Sequence, residues 1–294
     1  MQKLEIFQSM WAMELRRPDG KERSVEECFE TVAAAGFAGM GIDLVAKTDL
    51  RHARKLEHLY ERHGLGCSIN AFPNTIEELR PVLHMAKDFD ARFVNIIGRV
   101  MPISIAEMVP VVRAWITMGA EEGVAVHFET HRNCITNDLF TNLQLLDAIP
   151  ELTLCADLSH MLVDREFWYP ISSENQAFIH RLLERSACFQ GRVASREQIQ
   201  VQLSFPQHKK WFDVFADWWE EGFRHWRQRS DADVALNFLC ELGPAEYAMT
   251  GADGFELSDR WEETLTMRRR VESIWANLER CAERQRLPVA DEAS

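Results

Sequence analysis

The 294-residue chain has no C-x-x-C pair; its seven cysteines, at positions 28, 67, 134, 155, 188, 240 and 281, lie far apart. An odd, scattered set with no signal-peptide pattern at its start reads as reduced thiols, so a cytoplasmic protein is expected. Four of them, Cys67, Cys155, Cys188 and Cys240, fall inside strand-like runs, where cysteine serves as a small core residue. No apolar run approaches the roughly 20 residues that span a bilayer, so no membrane role is expected. No lysine- or arginine-rich block has the length a nucleic-acid groove or anionic membrane would call for, and the formal charge is −13. Both facts argue against a nucleic-acid groove or an anionic lipid surface as partner. No G-x-G-x-x-G follows the first strand-like run, which removes the signature of an open nucleotide-binding sheet. Linkers and low-complexity segments are missing as well: residues 1–286 read as one domain, and only 287–294 (LPVADEAS) looks loose.

What is present is alternation. The strand-like runs are LEIFQSM (4–10), GMGIDLV (39–45), GCSINAF (66–72), FVNIIG (93–98), VAVHFE (124–129), LTLCADL (152–158), ACFQGRV (187–193) and VALNFLCEL (234–242). A helical run follows each, two of them opened by the capping boxes Ser24–Glu27 and Ser104–Glu107. In the fourth interval Pro81 is expected to kink its helix or shorten it. Eight strict β/α alternations in a chain of this length predict a single (β/α)₈ TIM barrel.

In such a barrel chemistry sits at the carboxyl ends of the strands. The fifth strand runs from VAV straight into His127, Glu129, His131 and Arg132. The sixth ends at Asp157, in Asp157-Leu-Ser-His160. The seventh carries Gln190 and then Arg192, and the eighth ends at Glu241. Taken singly, each carboxylate fits a helix cap or an ion pair. Four oxygen-bearing side chains on four neighbouring strands fit one shared cation, because three converging carboxylates without a counterion repel one another. The oxygen donors favour Mn²⁺ or Mg²⁺, with Zn²⁺ and Co²⁺ as alternatives. Glu129 and Glu241 are the candidate proton carriers and His131 a further acid/base. His160 continues straight off a strand end and is expected at the site, and Arg192 and Arg132 are candidates for fixing a substrate hydroxyl or carboxylate, or for balancing the acidic cluster.

These residues in this order resemble the xylose-isomerase-like barrels, which include sugar isomerases, sugar epimerases and an endonuclease cutting at abasic sites. The likeness covers nearly the whole chain at the level of strand order. Its specific part is Glu129, Asp157-x-x-His160, and Glu241 within CELGP. The resemblance implies one metal on Glu129, Asp157, the seventh-strand position and Glu241, two glutamates moving protons on opposite faces of a sugar, and His160 on substrate oxygens. One position departs from the pattern: Gln190 stands where the family places a histidine, and an amide oxygen is a weaker, harder ligand than imidazole.

The expected activity is therefore a metal-dependent isomerase or epimerase of a ketose or keto-sugar, acting through an enediolate. The alternative is a metal-dependent lyase or deglycosidase on 3-keto-glycosides, with His131 as base. Enzymes of that kind pair a barrel subunit with a small β-sandwich partner, so either a homo-oligomer or such a heteromer is expected. An abasic-site endonuclease ranks third, given the acidic charge and the missing histidine. Trp168, Trp211, Trp218 and Trp219 are mostly expected in the core or at a subunit contact, with a sugar-binding wall as the alternative. Segments 161–175 and 195–212 are expected as long loops on the catalytic side.

Overall fold

The structure is a computed structural model that describes residues 1–45 and 47–286; the segment 287–294, expected to be loose, lies outside them. Eight strands, β1 (Lys3–Ser9), β2 (Gly39–Leu44), β3 (Gly66–Ala71), β4 (Phe93–Ile96), β5 (Ala125–Glu129), β6 (Leu154–Ala156), β7 (Ser186–Gly191) and β8 (Ala235–Cys240), pair in parallel with their sequence neighbours. The ring closes through β1 and β8, in register from Lys3–Ala235 to Gln8–Cys240. This is the (β/α)₈ barrel the alternation predicts.

The helices are α1 (Val25–Ala34), α2 (Lys47–Ala53), α3 (Glu57–His63), α4 (Leu79–Asp88), α5 (Ile105–Glu122), α6 (Leu139–Ala148), α7 (Leu158–Asp164), α8 (Ser173–Leu183), α9 (Lys209–Arg229) and α10 (Arg260–Arg286). Both predicted capping boxes form, at the starts of α1 and α5. Pro81 shortens its helix: α4 begins two residues before it, where the missing N–H has no intrahelical partner to lose.

Two intervals hold more than one helix. After β2 a 3₁₀ turn (Arg54–Leu56) separates α2 from α3. After β6 the short α7 starts at once, capped by Asp157 itself, so part of the expected 161–175 loop is helical. Trp211, Trp218 and Trp219 lie buried on α9. Trp219 meets Phe238 of β8 edge-on at 5.1 Å, which makes it barrel core rather than a sugar-binding wall. Trp168 is 69% exposed, with Arg196 stacked 3.5 Å from its ring centroid. All seven cysteines are free, and Cys281 alone is exposed. Among the described residues no helix is long and apolar enough to cross a membrane.

Candidate metal centre

Three carboxylates meet inside the barrel at the carboxyl ends of its strands. Glu129 is the last residue of β5, Asp157 follows β6, and Glu241 follows β8. Each offers an oxygen within 4.8 Å of the others, and all three side chains are buried.

Asp157 is held on both sides. Its Oδ1 accepts from the Ser159 backbone N–H at 3.0 Å and from the Ser159 hydroxyl at 2.5 Å. Its Oδ2 accepts from Arg192 Nε at 3.2 Å and faces His160 Nε2 at 3.5 Å. Arg192, just beyond β7, also donates through Nη2 to Glu241 Oε2 at 2.9 Å. Its guanidinium lies 4.5 Å from the ring centroid of Tyr247 and 5.6 Å from that of Trp11. Burial opposes the Arg192 charge, but Glu241 and Asp157 more than restore it and hold the guanidinium protonated.

Glu129 is reached from the other side. Its Oε2 accepts from Gln190 Nε2 at 2.8 Å and from Asn95 Nδ2 at 2.5 Å. Burial, with Glu241 and Asp157 adding repulsion, raises its carboxyl well above the usual carboxylate range. Burial likewise pushes Glu241 up to about 7, against the pull of Arg192.

The donor set fits a divalent cation on two counts. Fully ionised, as ligation requires, the three carboxylates carry −3 against the +1 of Arg192, which leaves −2 for a cation to neutralise. Gln190 Oε1 is a buried acceptor with no donor, the kind of orphan that a cation satisfies. The residues that would hold the ion are Glu129, Asp157, Glu241 and the amide oxygen of Gln190.

The two histidines stand together beside this cluster. The rings of His131 and His160 lie 4.0 Å apart. His131 Nδ1 is 2.5 Å from the Arg132 carbonyl, which can only accept, so Nδ1 carries the proton and Nε2 a free lone pair. Burial lowers the His131 pKa to about 4 and that of His160 further below its ordinary value. Neither ring nitrogen of His160 makes a hydrogen bond, and Nε2 has only the Asp157 carboxylate 3.5 Å away. Glu129, His131 and His160 form a second triplet with ligand atoms within 4.8 Å, sharing Glu129 with the first. Arg132 sits at the exposed rim, where Nη2 donates to Tyr247 Oη at 3.3 Å. His127 points elsewhere: with Phe93 and Glu5 it lines a cavity at the amino-terminal mouth.

No family profile and no curated protein matches the chain. Solved structures do, along almost its full length. A xylose isomerase-like TIM barrel protein from Mycobacterium smegmatis, in complex with magnesium, superposes with a TM-score of 0.58 at 12% identity, over 92% of this chain and 97% of that one. The probable 3-DHS dehydratase AsbF, involved in petrobactin synthesis in Bacillus anthracis, gives 0.58 at 13% identity, over 90% and 98%. D-psicose 3-epimerase, solved in the presence of D-fructose, gives 0.54 at 11% identity, over 92% and 97%. The chain shares the closed (β/α)₈ barrel fold of these structures.

Within that fold, sequence reasoning missed half of the site's support. Asp43, Asn70 and Asn95 stand in register on β2, β3 and β4. Asn70 Nδ2 donates to Asp43 Oδ1, and Asn95 Nδ2 donates to Asn70 Oδ1, both at 2.9 Å. Asn95 also donates to Glu129, so this row of side chains ends on a candidate ligand carboxylate. Burial raises Asp43 to about 6. Asn95→Leu is expected to weaken divalent-metal affinity by about 10–100-fold, the usual cost of losing a group that orients a ligand. Metal titration monitored by calorimetry checks it; unchanged affinity would show that the row does not orient Glu129.

Proposed function

We propose that this protein is a metal-dependent isomerase or epimerase acting on a ketose or keto-sugar. The observation that carries the reading is the pairing of Glu129 and Glu241, which enter one cation-sized cluster from different strands while Asp157 is pinned by Ser159 and Arg192. A divalent ion held there would supply Lewis-acid polarisation of the substrate carbonyl and its neighbouring hydroxyl.

The chain's own groups then divide the work. One glutamate takes the proton from the carbon next to the carbonyl, and the other returns a proton, to the same carbon in an epimerase or to its neighbour in an isomerase. His160 Nδ1 and Arg192 Nη1 are buried without a hydrogen bond, so they are available to substrate oxygens. Tyr247 and Trp11 flank Arg192 and fix its plane, and the aromatic rings suit the apolar face of a sugar. The magnesium complex and the ketohexose epimerase among the structural neighbours agree with this reading.

Turnover in D₂O tests it. Deuterium is expected at the carbon next to the carbonyl when a ketose or 3-keto-sugar is incubated with metal-loaded protein. Turnover without exchange and without a hydrogen isotope effect would refute proton transfer at carbon. A second reading has its own observation: His131 is a neutral imidazole with a bare Nε2 beside the cluster, a base suited to β-elimination from a 3-keto-glycoside. Release of an aglycone in place of an isomeric sugar would select it.

A further inference from the structure

The outer helical ring carries a second cluster of ligating side chains. On α9, Glu221 and His225 are four residues apart and share one helical face. His180 on α8 faces them: its ring centroid lies 4.8 Å from that of His225, the planes at 77°. Gly222 lets the helices approach, since a Cβ there would stand 2.5 Å from Phe189 of β7 and 3.1 Å from Leu183 of α8.

We propose that this α8–α9 junction binds one Zn²⁺ ion through His180, Glu221 and His225, at a site separate from the carboxylate centre inside the barrel. Ligand atoms of all three lie within 4.8 Å of one another. Four tetrahedral ligands at about 2.0–2.1 Å from zinc stand roughly 3.3 Å apart, which rotamer adjustment of partly exposed side chains can reach.

Carboxylates orient the histidines. His180 turns Nδ1 toward Glu221 Oε1, while its Nε2 lies 3.3 Å from Glu184 Oε1. A carboxylate on the far nitrogen of a zinc-binding imidazole fixes its tautomer and raises its basicity. Both ring nitrogens of His180 thus face carboxylates, and without metal the ring is held as an imidazolium, its pKa raised by Glu221 and then Glu184; zinc entering between Nδ1 and Glu221 would displace the Nδ1 proton, while Glu184 keeps Nε2–H. His225 Nε2 lies 3.9 Å from the same Glu221 oxygen. Two imidazoles with one carboxylate suit Zn²⁺ over Mg²⁺ or Mn²⁺, the reverse of the oxygen-only set in the barrel. The side chains are 44%, 30% and 23% exposed for His180, Glu221 and His225, which gives the ion an entry path and a water as fourth ligand. The site would join the helices before and after β7, the strand that carries Gln190 and leads to Arg192.

Zinc content per chain, measured after equilibrium dialysis, tests the proposal on wild type and on His180→Gln/His225→Gln. The double variant is expected to bind one Zn²⁺ fewer and to lose the zinc-dependent rise in Tm, with manganese- or magnesium-supported activity unchanged. Co²⁺ gives a second reading: the wild type is expected to show tetrahedral d–d bands that the variant lacks. Equal zinc content and equal Co²⁺ spectra in both proteins would overturn the site. Glu221→Gln, a milder change, is expected to weaken Zn²⁺ binding at least tenfold; an unaltered affinity counts equally against it.

Discussion

Glu129→Gln is expected to lower turnover by about 10²–10⁴-fold while the protein still takes up its divalent metal. The replacement amide keeps one oxygen that can face the cation, while its NH₂ takes the side now reached by the Gln190 and Asn95 donors, so metal affinity is expected to fall without being lost. It has no basic lone pair that holds a proton at neutral pH. A loss of this size equals about 2.7–5.5 kcal/mol of transition-state stabilisation, which separates a proton carrier from a group that only shapes the pocket. Two measurements on one preparation decide the matter: metal content by elemental analysis and kcat with the isomerised sugar. Retained metal with a twofold loss would make Glu129 a ligand alone. Lost metal would leave its catalytic part unresolved by this variant, and Asp157→Asn then serves as the control for a ligand with no proton role: its activity should return as metal is raised, whereas that of Glu129→Gln should not.

The barrel was legible because its signal is repeated eight times: a covered parallel strand is a short apolar run, a crossover helix an amphipathic one, and neither depends on distant residues. The β5–β8 half of the site was legible for a similar reason. Glu129, Asp157 and Glu241 interrupt or end apolar runs with charge, and charge has no bland role there in threes. The β2–β4 half was not. Asp43, Asn70 and Asn95 are each one polar residue in GMGIDLV, GCSINAF and FVNIIG, and only the register Asp43–Asn70–Asn95 makes them a connected row. Tyr247 and Trp11 were invisible because they meet Arg192 from opposite ends of the chain. The tryptophans of α9 pack in the core, which was the main expectation for them. The helix α7 shows the opposite error: a long interval suggested a loop, and a cap from Asp157 produced a helix.

Arg192→Met is expected to destabilise the metal-free protein by about 3–5 kcal/mol, the cost of leaving buried charge without its partner. For a chain of this size that corresponds to a fall in Tm of about 5–8 °C. The cause lies in what remains: Asp157 loses the donor at 3.2 Å and Glu241 the donor at 2.9 Å, and three buried carboxylates then face one another with no fixed positive charge. The side chain of methionine is long enough to fill part of the space under Tyr247, so the loss reads mainly as charge rather than cavity. Arg192→Lys restores one charge but, as a point donor, cannot span both carboxylates as the guanidinium does, and an intermediate Tm is expected. Saturating Mn²⁺ or Mg²⁺ is expected to raise the Tm of Arg192→Met more than that of wild type, because the ion then offsets three uncompensated carboxylates instead of two. Thermal melts of the three proteins with and without metal provide the comparison. Equal melting temperatures for wild type and Arg192→Met without metal would mean that the carboxylates hold their own protons and that Arg192 contributes nothing to their balance. The guanidinium would then be a group held for the substrate alone.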